Sequence, residues 1–171
     1  VAQAGSDASP YSLADVYNPM PPNFGSNPLY RVPQSRQNPT LVNELTTEYE
    51  FGFDIRMLDN RLFIDAAYYD RTTKDQIFNV SSPSPTGYTS RLLNAGEMRN
   101  YGFELGMGGS PIDTGDFSWD LGLNLTFLNN EVVSLLKDED GNSVVENIAM
   151  GGTWAASLRI QEGYPYMALF G

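Results

Sequence analysis

Apolar and polar positions alternate without a break over residues 117–127. The odd positions are Phe117, Trp119, Leu121, Leu123, Leu125 and Phe127, and the even positions are Ser118, Asp120, Gly122, Asn124 and Thr126. Because successive side chains of a β-strand lie on opposite faces, this alternation predicts a strand with one apolar and one polar face. A strand of this length is sufficient to cross a bilayer, which takes roughly 9–11 tilted residues.

The same alternation recurs in residues 48–57, 100–108 and 154–160. The predicted apolar faces of the first two segments include Phe51, Phe53, Phe103 and Leu105. The opposite faces of the three segments carry Glu48, Glu50, Asp54, Glu104 and Arg159. Residues 61–72 alternate more weakly, because Phe63 and Ala67 lie among their polar positions. The pattern therefore predicts an all-β, antiparallel fold.

The predicted strands are joined by connectors that alternate between short and long. Short turns are expected at 58–60, 111–115 and 163–165, and long connectors at about 74–98 and 129–152. Transmembrane β-barrels have short periplasmic turns and long extracellular loops. Residues 44–171 are therefore predicted to form an antiparallel transmembrane β-barrel segment. Residues 1–43, which are rich in Pro, Ser, Asn and Gln, are predicted to form an irregular extracellular loop.

Composition narrows the range of functions. The formal net charge of −11 argues against nucleic-acid binding, which needs a basic surface. The sequence contains no cysteine and no histidine, which excludes disulfides, thiolate metal sites and the commonest general base. We therefore predict no catalytic residue, no cofactor and no metal site. The sequence contains no run of about 18 consecutive apolar residues, so it predicts no transmembrane helix.

The two ends of the sequence lead to two further expectations. Residues 1–5 lack the basic and apolar regions of a signal peptide, so any export signal is expected outside this sequence. Five predicted strands and the beginning of a sixth at 166–170 cannot close a barrel. An open strand edge in hydrocarbon leaves backbone groups unpaired at a cost of several kcal/mol each. We therefore expect a segment of a larger barrel.

Several motifs resemble the carboxy-terminal barrel of SusC/RagA-type TonB-dependent transporters. They lie at 38–44, 49–54, 60–62, 68–75, 86–88, 94–105 and 117–120 with Asn124, and together extend over roughly residues 38–170. The most specific is the run Asn-Ala-Gly-x-x-x-Asn-x-Gly-x-Glu at residues 94–104. These residues do not include the plug, the TonB-contacting box or the first part of the barrel.

The resemblance implies a barrel of about 22 strands with an internal plug, of which this chain would supply five to six strands. It also implies import of oligosaccharides or peptides across the bacterial outer membrane, driven by the TonB complex. A SusD-like surface lipoprotein is expected to act as a lid over the extracellular mouth.

Site residues follow from this resemblance together with the alternation. The residues expected to face lipid are Phe51, Phe53, Phe103, Leu105, Phe117, Trp119, Leu121, Leu123, Leu125 and Phe127, with Phe117 and Trp119 in an aromatic girdle. Those expected to face the lumen or plug are Glu48, Glu50, Asp54, Glu104, Asp120 and Arg159. Tyr88, Arg91 and Trp154 are predicted to contact substrate or lid, with a girdle position as the alternative for Trp154.

Three alternatives stay open at this point. Residues 138–142, Asp-Glu-Asp-Gly-Asn, resemble part of a calcium loop, although a solvated turn is preferred. A soluble, carbohydrate-binding β-sandwich would also alternate and lack helices. A passive porin or a surface adhesin would share the barrel. Strands of ten residues or more, with aromatic residues at the ends of their apolar faces, favour lipid outside.

Overall fold

The computed structural model describes residues 1–137, 140 and 142–171. Regular structure in these residues is β, apart from one 3₁₀ turn over Ser84–Thr86. The strands are β1 (Ala2–Ser6), β2 (Asn18–Pro19), β3 (Tyr30–Arg31), β4 (Ser35–Arg36), β5 (Glu44–Met57), β6 (Leu62–Lys74), β7 (Ile77–Ser81), β8 (Ser90–Asn94), β9 (Gly96–Asp113), β10 (Ser118–Leu135), β11 (Asn147–Gly152), β12 (Ser157–Gln161) and β13 (Ala168–Phe170). Within the described part of the chain, no helix is long and apolar enough to span a membrane.

The largest sheet is antiparallel, with the strand order β1-β5-β6-β9-β10. The long strands β5, β6, β9 and β10 correspond to the predicted segments 48–57, 61–72, 100–108 and 117–127. Only residues 61 and 117 of these segments lie outside the strands. The sheet is open at both edges, so it is a fragment of a barrel wall and not a closed barrel. The predicted all-β fold is confirmed. One two-residue pairing, of β4 with β8, is parallel.

The two ends of this sheet differ in structure. The turn end carries residues 58–61, which join β5 to β6, and residues 114–117, which join β9 to β10. Leu58, Asp59 and Asn60 all have positive φ, between 54° and 67°, as tight hairpin turns require. The second turn is shorter than the predicted 111–115, because β9 extends to Asp113. The loop end carries the hairpins β7–β8 and β11–β12 together with β13.

The long connectors contain more regular structure than was predicted. β9 begins at Gly96 and β10 extends to Leu135, past the predicted bounds of both strands. In the expected loop 74–98, β7 and β8 form an antiparallel hairpin, and β11 ends the expected loop 129–152. These strands are short and bury only a few side chains each. They therefore lack the long alternation of apolar and polar residues that predicted the other strands.

The prediction that residues 1–43 are irregular is wrong for their first part. β1 pairs antiparallel with β5, with Ala2 opposite Glu48 and Ser6 opposite Glu44. The residues of β1 are small or polar, so no hydrophobic pattern marks them as a strand. Their position depends on backbone hydrogen bonds to the free edge of β5, which a side-chain pattern does not report.

The short turn predicted at 163–165 is present, but it does not lie at the same end of the sheet as the other two short turns. The Gly163 amide donates to the Val132 carbonyl at 2.9 Å, and the Val132 amide donates to the Tyr164 carbonyl at 3.0 Å. Val132 lies near the loop end of β10, so this segment lies at the end opposite the two short turns. It pairs with backbone groups at the free edge of β10, which would otherwise lack protein partners.

The apolar core of the described residues lies at the loop end. Its buried members are Phe78, Val80, Ala95, Met98, Val132, Leu135, Ile148 and Ile160. Met98 and Val132 are directly opposite each other in β9 and β10, in register with Thr73 of β6 and Thr46 of β5. Thr46 belongs to the face of β5 that carries Glu48 and Glu50. The loop-end strands therefore pack against the polar face and leave the apolar face uncovered.

Candidate membrane and ligand surfaces

The apolar face of the large sheet consists of four rows that each cross β5, β6, β9 and β10. From the loop end to the turn end, the rows are Phe51–Tyr68–Phe103–Phe127, Phe53–Ala66–Leu105–Leu125, Ile55–Ile64–Met107–Leu123 and Met57–Leu62–Gly109–Leu121. Directly opposed residues share a face, so the structure places eight of the ten residues predicted to face lipid on one surface. Phe51 is 69% exposed and Phe127 is 62% exposed. An apolar surface of this kind is rare on soluble monomers.

Aromatic residues border this face at both ends. The loop-end row consists entirely of aromatic residues, and Tyr49 and Tyr101 lie one row further out. At the turn end, Trp119 lies opposite Ile112, and Phe117 lies in the adjacent turn. The three rows between carry aliphatic residues and methionines, apart from Phe53 and Gly109. Aromatic girdles around an aliphatic band are the arrangement that transmembrane barrels use at the two membrane interfaces.

A charged pair marks the loop-end limit of the apolar face. The Arg99 guanidinium forms a bidentate ion pair with the Asp70 carboxylate, in which Nε donates to Oδ1 at 2.9 Å and Nη2 donates to Oδ2. The guanidinium carbon lies 4.9 Å from the centroid of the Tyr101 ring. Because Asp70 is directly opposite Tyr101, both charges lie beside the outermost aromatic residues and outside the four apolar rows.

The polar face carries most of the residues predicted to face lumen or plug. Glu48, Glu50, Asp54, Glu104 and Asp120 occupy alternate positions to the apolar rows in β5, β9 and β10. The Arg71 guanidinium pairs with the Glu48 carboxylate at 3.0 Å, and the Ser110 hydroxyl donates to the Asp120 carboxylate. Glu48 is thus paired with a cation, and Asp120 with a neutral hydroxyl donor.

Arg159, which was also predicted to face the lumen or plug, lies outside the large sheet. It lies in β12, in a separate sheet formed by β11, β12 and β13. Its Nε donates to the Ser157 hydroxyl at 2.8 Å, and its guanidinium carbon lies 5.5 Å from the Phe170 ring centroid. The alternation of 154–160 suggested a fifth wall strand, but the strand is only five residues long and pairs with short neighbours.

Two aromatic residues on the polar face explain the weak alternation of β6. A Cβ atom on Gly102 would lie 2.7 Å from Oη of Tyr69, and one on Gly108 would lie 2.7 Å from Cε1 of Phe63. Each ring therefore occupies the space above a glycine of β9. Sequence reasoning counted Phe63 as an interruption of the polar face, although the glycine directly opposite it, Gly108, was the available signal.

The loop end brings Tyr88 together with the N-terminal segment. The Tyr88 hydroxyl donates to the Asp15 carboxylate at 3.1 Å, and this hydrogen bond raises the pKa of Tyr88. The Asp15 carboxylate also accepts a hydrogen bond from the backbone N–H of Gln37 at 3.0 Å. Arg91 is an exposed residue of β8, opposite Val80 of β7 and Arg36 of β4. The sequence offered no signal for the contact between Tyr88 and Asp15, which are distant along the chain.

Trp154 lies on a separate hairpin. It occupies the connection between β11 and β12, which is closed by a hydrogen bond from the Thr153 amide to the Ala156 carbonyl at 2.7 Å. Its side chain is 100% exposed. The structure therefore does not group Trp154 with Tyr88 and Arg91, but all three belong to the loop end.

A cleft of about 550 Å³ lies at the loop end beside β1, β4, β7 and β8. Polar residues dominate its lining, which includes Ser6, Tyr11, Gln37, Glu44 and Asn79. The Glu44 carboxylate accepts a hydrogen bond from the Ile77 amide at 2.8 Å. Sequence reasoning missed this cleft, because the N-terminal segment that forms one wall carries no motif.

The calcium-loop alternative cannot be followed through the structure, since Asp138, Glu139 and Gly141 lie outside the described residues. Elsewhere, among residues 1–137, 140 and 142–171, no group of three or more Asp, Glu, His or Cys side chains is placed to hold a metal ion.

An open antiparallel wall with one exposed apolar face and one polar face defines the class of β-barrel wall segments. The chain belongs to the TonB-dependent receptor family: the family described as TonB dependent receptor-like, beta-barrel, matches residues 5–165. The resemblance to SusC/RagA-type transporters is confirmed by the relatives and solved structures that follow.

Two curated relatives are similar in sequence. TonB-dependent receptor SusC of Bacteroides thetaiotaomicron is 34% identical over 110 residues, which cover 64% of this chain and 11% of SusC. TonB-dependent receptor P39 of Formosa agariphila is 34% identical over 98 residues, which cover 57% of this chain and 9% of that protein. The chain thus spans about a tenth of the length of these relatives.

Solved structures share the fold. The structure of the RagAB peptide transporter matches with a TM-score of 0.74 and 22% identity, over 95% of this chain and 17% of that chain. The RagAB peptide importer in the open-open state matches with a TM-score of 0.69 and 22% identity, over the same shares of the two chains.

Proposed function

We propose that this chain forms part of the wall of a TonB-dependent outer-membrane importer that takes up oligosaccharides or peptides. The observation that carries the proposal is the exposed apolar face of four rows with aromatic residues at both ends. Apolar side chains on the outside of a barrel are stabilised by lipid, whereas in water they would promote association. Relatives named as TonB-dependent receptors, and the fold shared with a peptide transporter, support the same class.

The two ends of the sheet suggest its orientation in the outer membrane. The turn end, with its short connections at 58–61 and 114–117, faces the periplasm in this proposal. The loop end, with its additional hairpins and its cleft, faces the cell surface. The polar face then lines the lumen, where Glu48, Glu50, Asp54, Glu104 and Asp120 contact the plug or the solvated wall.

The loop end is proposed to meet the substrate and a SusD-like surface lipoprotein. Exposed aromatic residues and arginines are enriched where proteins bind partners, which favours Tyr88, Arg91 and Trp154 as contact residues. Import is proposed to depend on the TonB complex, acting through parts of the transporter other than this wall segment. The proposed role of the segment is to form part of a transport pathway and not to convert the ligand chemically. We therefore assign it no enzymatic activity.

The competing interpretation is a soluble, carbohydrate-binding β-sandwich. In a sandwich, the apolar face of each sheet is covered by the other sheet, about 10 Å away. Here the loop-end strands pack against the opposite, polar face, which leaves the apolar rows exposed. A porin or adhesin barrel remains the second alternative, since it would share this wall but would not depend on TonB.

Membrane fractionation of the source bacterium, combined with intact-mass analysis, tests the proposal. An antibody to the segment should detect a detergent-extracted outer-membrane polypeptide several times heavier than this chain. Deletion of TonB should abolish uptake of the imported ligand while the polypeptide remains in the outer membrane. A soluble polypeptide would overturn the barrel in favour of the sandwich, and uptake independent of TonB would favour a porin.

A further inference from the structure

The apolar face contains a groove of about 530 Å³ near the turn end. It lies in the row Met57–Leu62–Gly109–Leu121, where Gly109 has no side chain between two leucines. Apolar walls are formed by Leu62, Met107, Pro111, Leu121 and Leu123. Its volume falls within the range of roughly 300–1,000 Å³ that small-molecule sites have. The groove is centred on β9 and lies between β6 and the edge strand β10.

Backbone geometry maintains this gap in the apolar face. A Cβ atom on Gly109 would lie 2.3 Å from the carbonyl oxygen of Arg61, so no larger residue fits without a shift of the backbone. Next to it, Trp119 is opposite Ile112 while Leu121 is opposite Gly109, which gives β9 one residue more than β10. Such a bulge bends the strand and turns side chains away from the regular face.

One charged side chain lines the groove, and carboxylates lie in the two turns at the same end of the sheet. Arg61 lines the groove and is exposed, and its guanidinium donates to the carbonyl oxygen of Asp113 at 3.2 Å. The two turns at this end also carry the carboxylates of Asp59, Asp113 and Asp116. An apolar groove that opens beside one cation and several carboxylates complements a lipid with an anionic phosphate and a cationic amine in its headgroup.

We propose that this groove is a binding site for a phosphatidylethanolamine of the surrounding bilayer. The acyl chain lies along Leu62, Met107 and Leu121, the phosphate contacts the Arg61 guanidinium, and the ammonium faces the carboxylates of Asp113 and Asp116. The proposal rests on the proposed function, since it requires that the apolar face meets lipid. It goes further by assigning one lipid class to one place on the wall.

Native mass spectrometry of the full-length transporter, purified in detergent and titrated with dioleoyl-phosphatidylethanolamine, tests the site. Arg61→Gln removes the phosphate contact, and Leu121→Trp fills the groove. The matched controls are Arg56→Gln, on the polar face at the same end, and Leu125→Trp, on the same strand and face outside the groove. We expect affinity for one bound lipid to fall about tenfold in the first two variants and to be unchanged in the controls.

Equal lipid binding by Arg61→Gln and wild type would overturn the site, and this variant keeps the test valid if Leu121→Trp does not fold. Binding of dioleoyl-phosphatidylglycerol as tight as that of the phosphatidylethanolamine would overturn the headgroup assignment. Outer-membrane fractionation of the same variants separates the two proposals. Absence of the wild-type protein from the outer membrane would contradict the proposed function. If the protein is in the outer membrane but the groove variants bind the lipid as tightly as wild type, only the lipid site is contradicted.

Discussion

The hydroxyl of Tyr69 lies over Gly102 on the neighbouring strand, where a Cβ atom would be 2.7 Å from Oη. The same Cβ atom would be 2.5 Å from the carbonyl oxygen of Phe127 on the other side. Gly102 is therefore clamped between a side chain of β6 and the backbone of β10. This contact joins β6, β9 and β10 on the face that we propose to line the lumen.

Replacing Gly102 with alanine should destabilise the barrel by about 1–3 kcal/mol, because rotation of Tyr69 relieves only one of the two clashes. Thermal unfolding of the full-length protein in detergent, followed by the loss of its heat-modifiable migration, measures the effect. Gly122→Ala is the matched control, since nothing lies within 4 Å of a Cβ atom there. Equal stability of the two variants would contradict the close packing of Tyr69 on Gly102.

Arginine at Leu123 should cost about 2–4 kcal/mol, the penalty for a cation on the lipid face near the midplane of the membrane. The same substitution at Asn124, one residue further along β10, places the charge on the polar face and should cost clearly less. Reversible unfolding of the refolded barrel in lipid vesicles compares the two variants. Equal penalties would contradict the assignment of the two faces.

Tyr88 should ionise at a higher pH than an unperturbed tyrosine, whose pKa is 10.0, because its hydroxyl donates to the Asp15 carboxylate. A raised pKa in the folded state means that the contact is fully present below pH 10 and is lost as pH rises through the pKa of Tyr88. The difference in phenolate absorbance between wild type and Tyr88→Phe isolates this residue.

Asp15→Asn should move the pKa of Tyr88 back toward 10, since the carboxylate charge is removed while the side-chain volume is kept. Asp7→Asn, in the same N-terminal segment, serves as the control and should leave it unchanged. A Tyr88 pKa that does not respond to Asp15→Asn would show that the hydrogen bond is not formed in solution.

Trp154→Ala should leave stability unchanged, because the side chain is 100% exposed. If the loop end binds the lipoprotein lid, the loss of this indole should weaken lid binding about tenfold, as removal of an aromatic anchor does. Titration of the purified lipoprotein onto the transporter measures the change. Phe117→Ala, an exposed aromatic residue at the turn end, is the control, and an equal effect of both variants would contradict the orientation.

The long strands of the large sheet were predictable because their alternation has a direct physical cause. In β10, a face that meets lipid and a face that meets polar surroundings impose strict alternation on residues 117–127. The same reasoning placed Phe51 and Phe127 on one surface before their register was known. The predictions for residues 1–43 and for the position of the turn at 163–165 failed because both segments are positioned by contacts that leave no periodic pattern in the sequence. The small residues of β1 pair through their backbone, and Gly163 is held by the Val132 carbonyl.

The candidate site was less predictable than the fold. Tyr88 and Trp154 could be selected as exposed loop aromatics, but the contact of Tyr88 with Asp15 depends on how the N-terminal segment folds back. Arg159 was expected in a long wall strand, because the short strand β12 of the second sheet alternates like a wall strand over a few residues. The groove at Gly109 depends on a bulge, and bulges are set by register between strands.

Nitroxide scanning along residues 121–127 of β10, in the full-length transporter reconstituted in lipid, tests the central claim most directly. The segment contains no cysteine, so each position can be labelled individually after replacement of any cysteine elsewhere. We predict that accessibility to oxygen peaks at Leu121, Leu123, Leu125 and Phe127, and that accessibility to a water-soluble nickel reagent peaks at the residues between them. High nickel accessibility at the odd positions, with no alternation, would contradict a lipid-facing barrel wall.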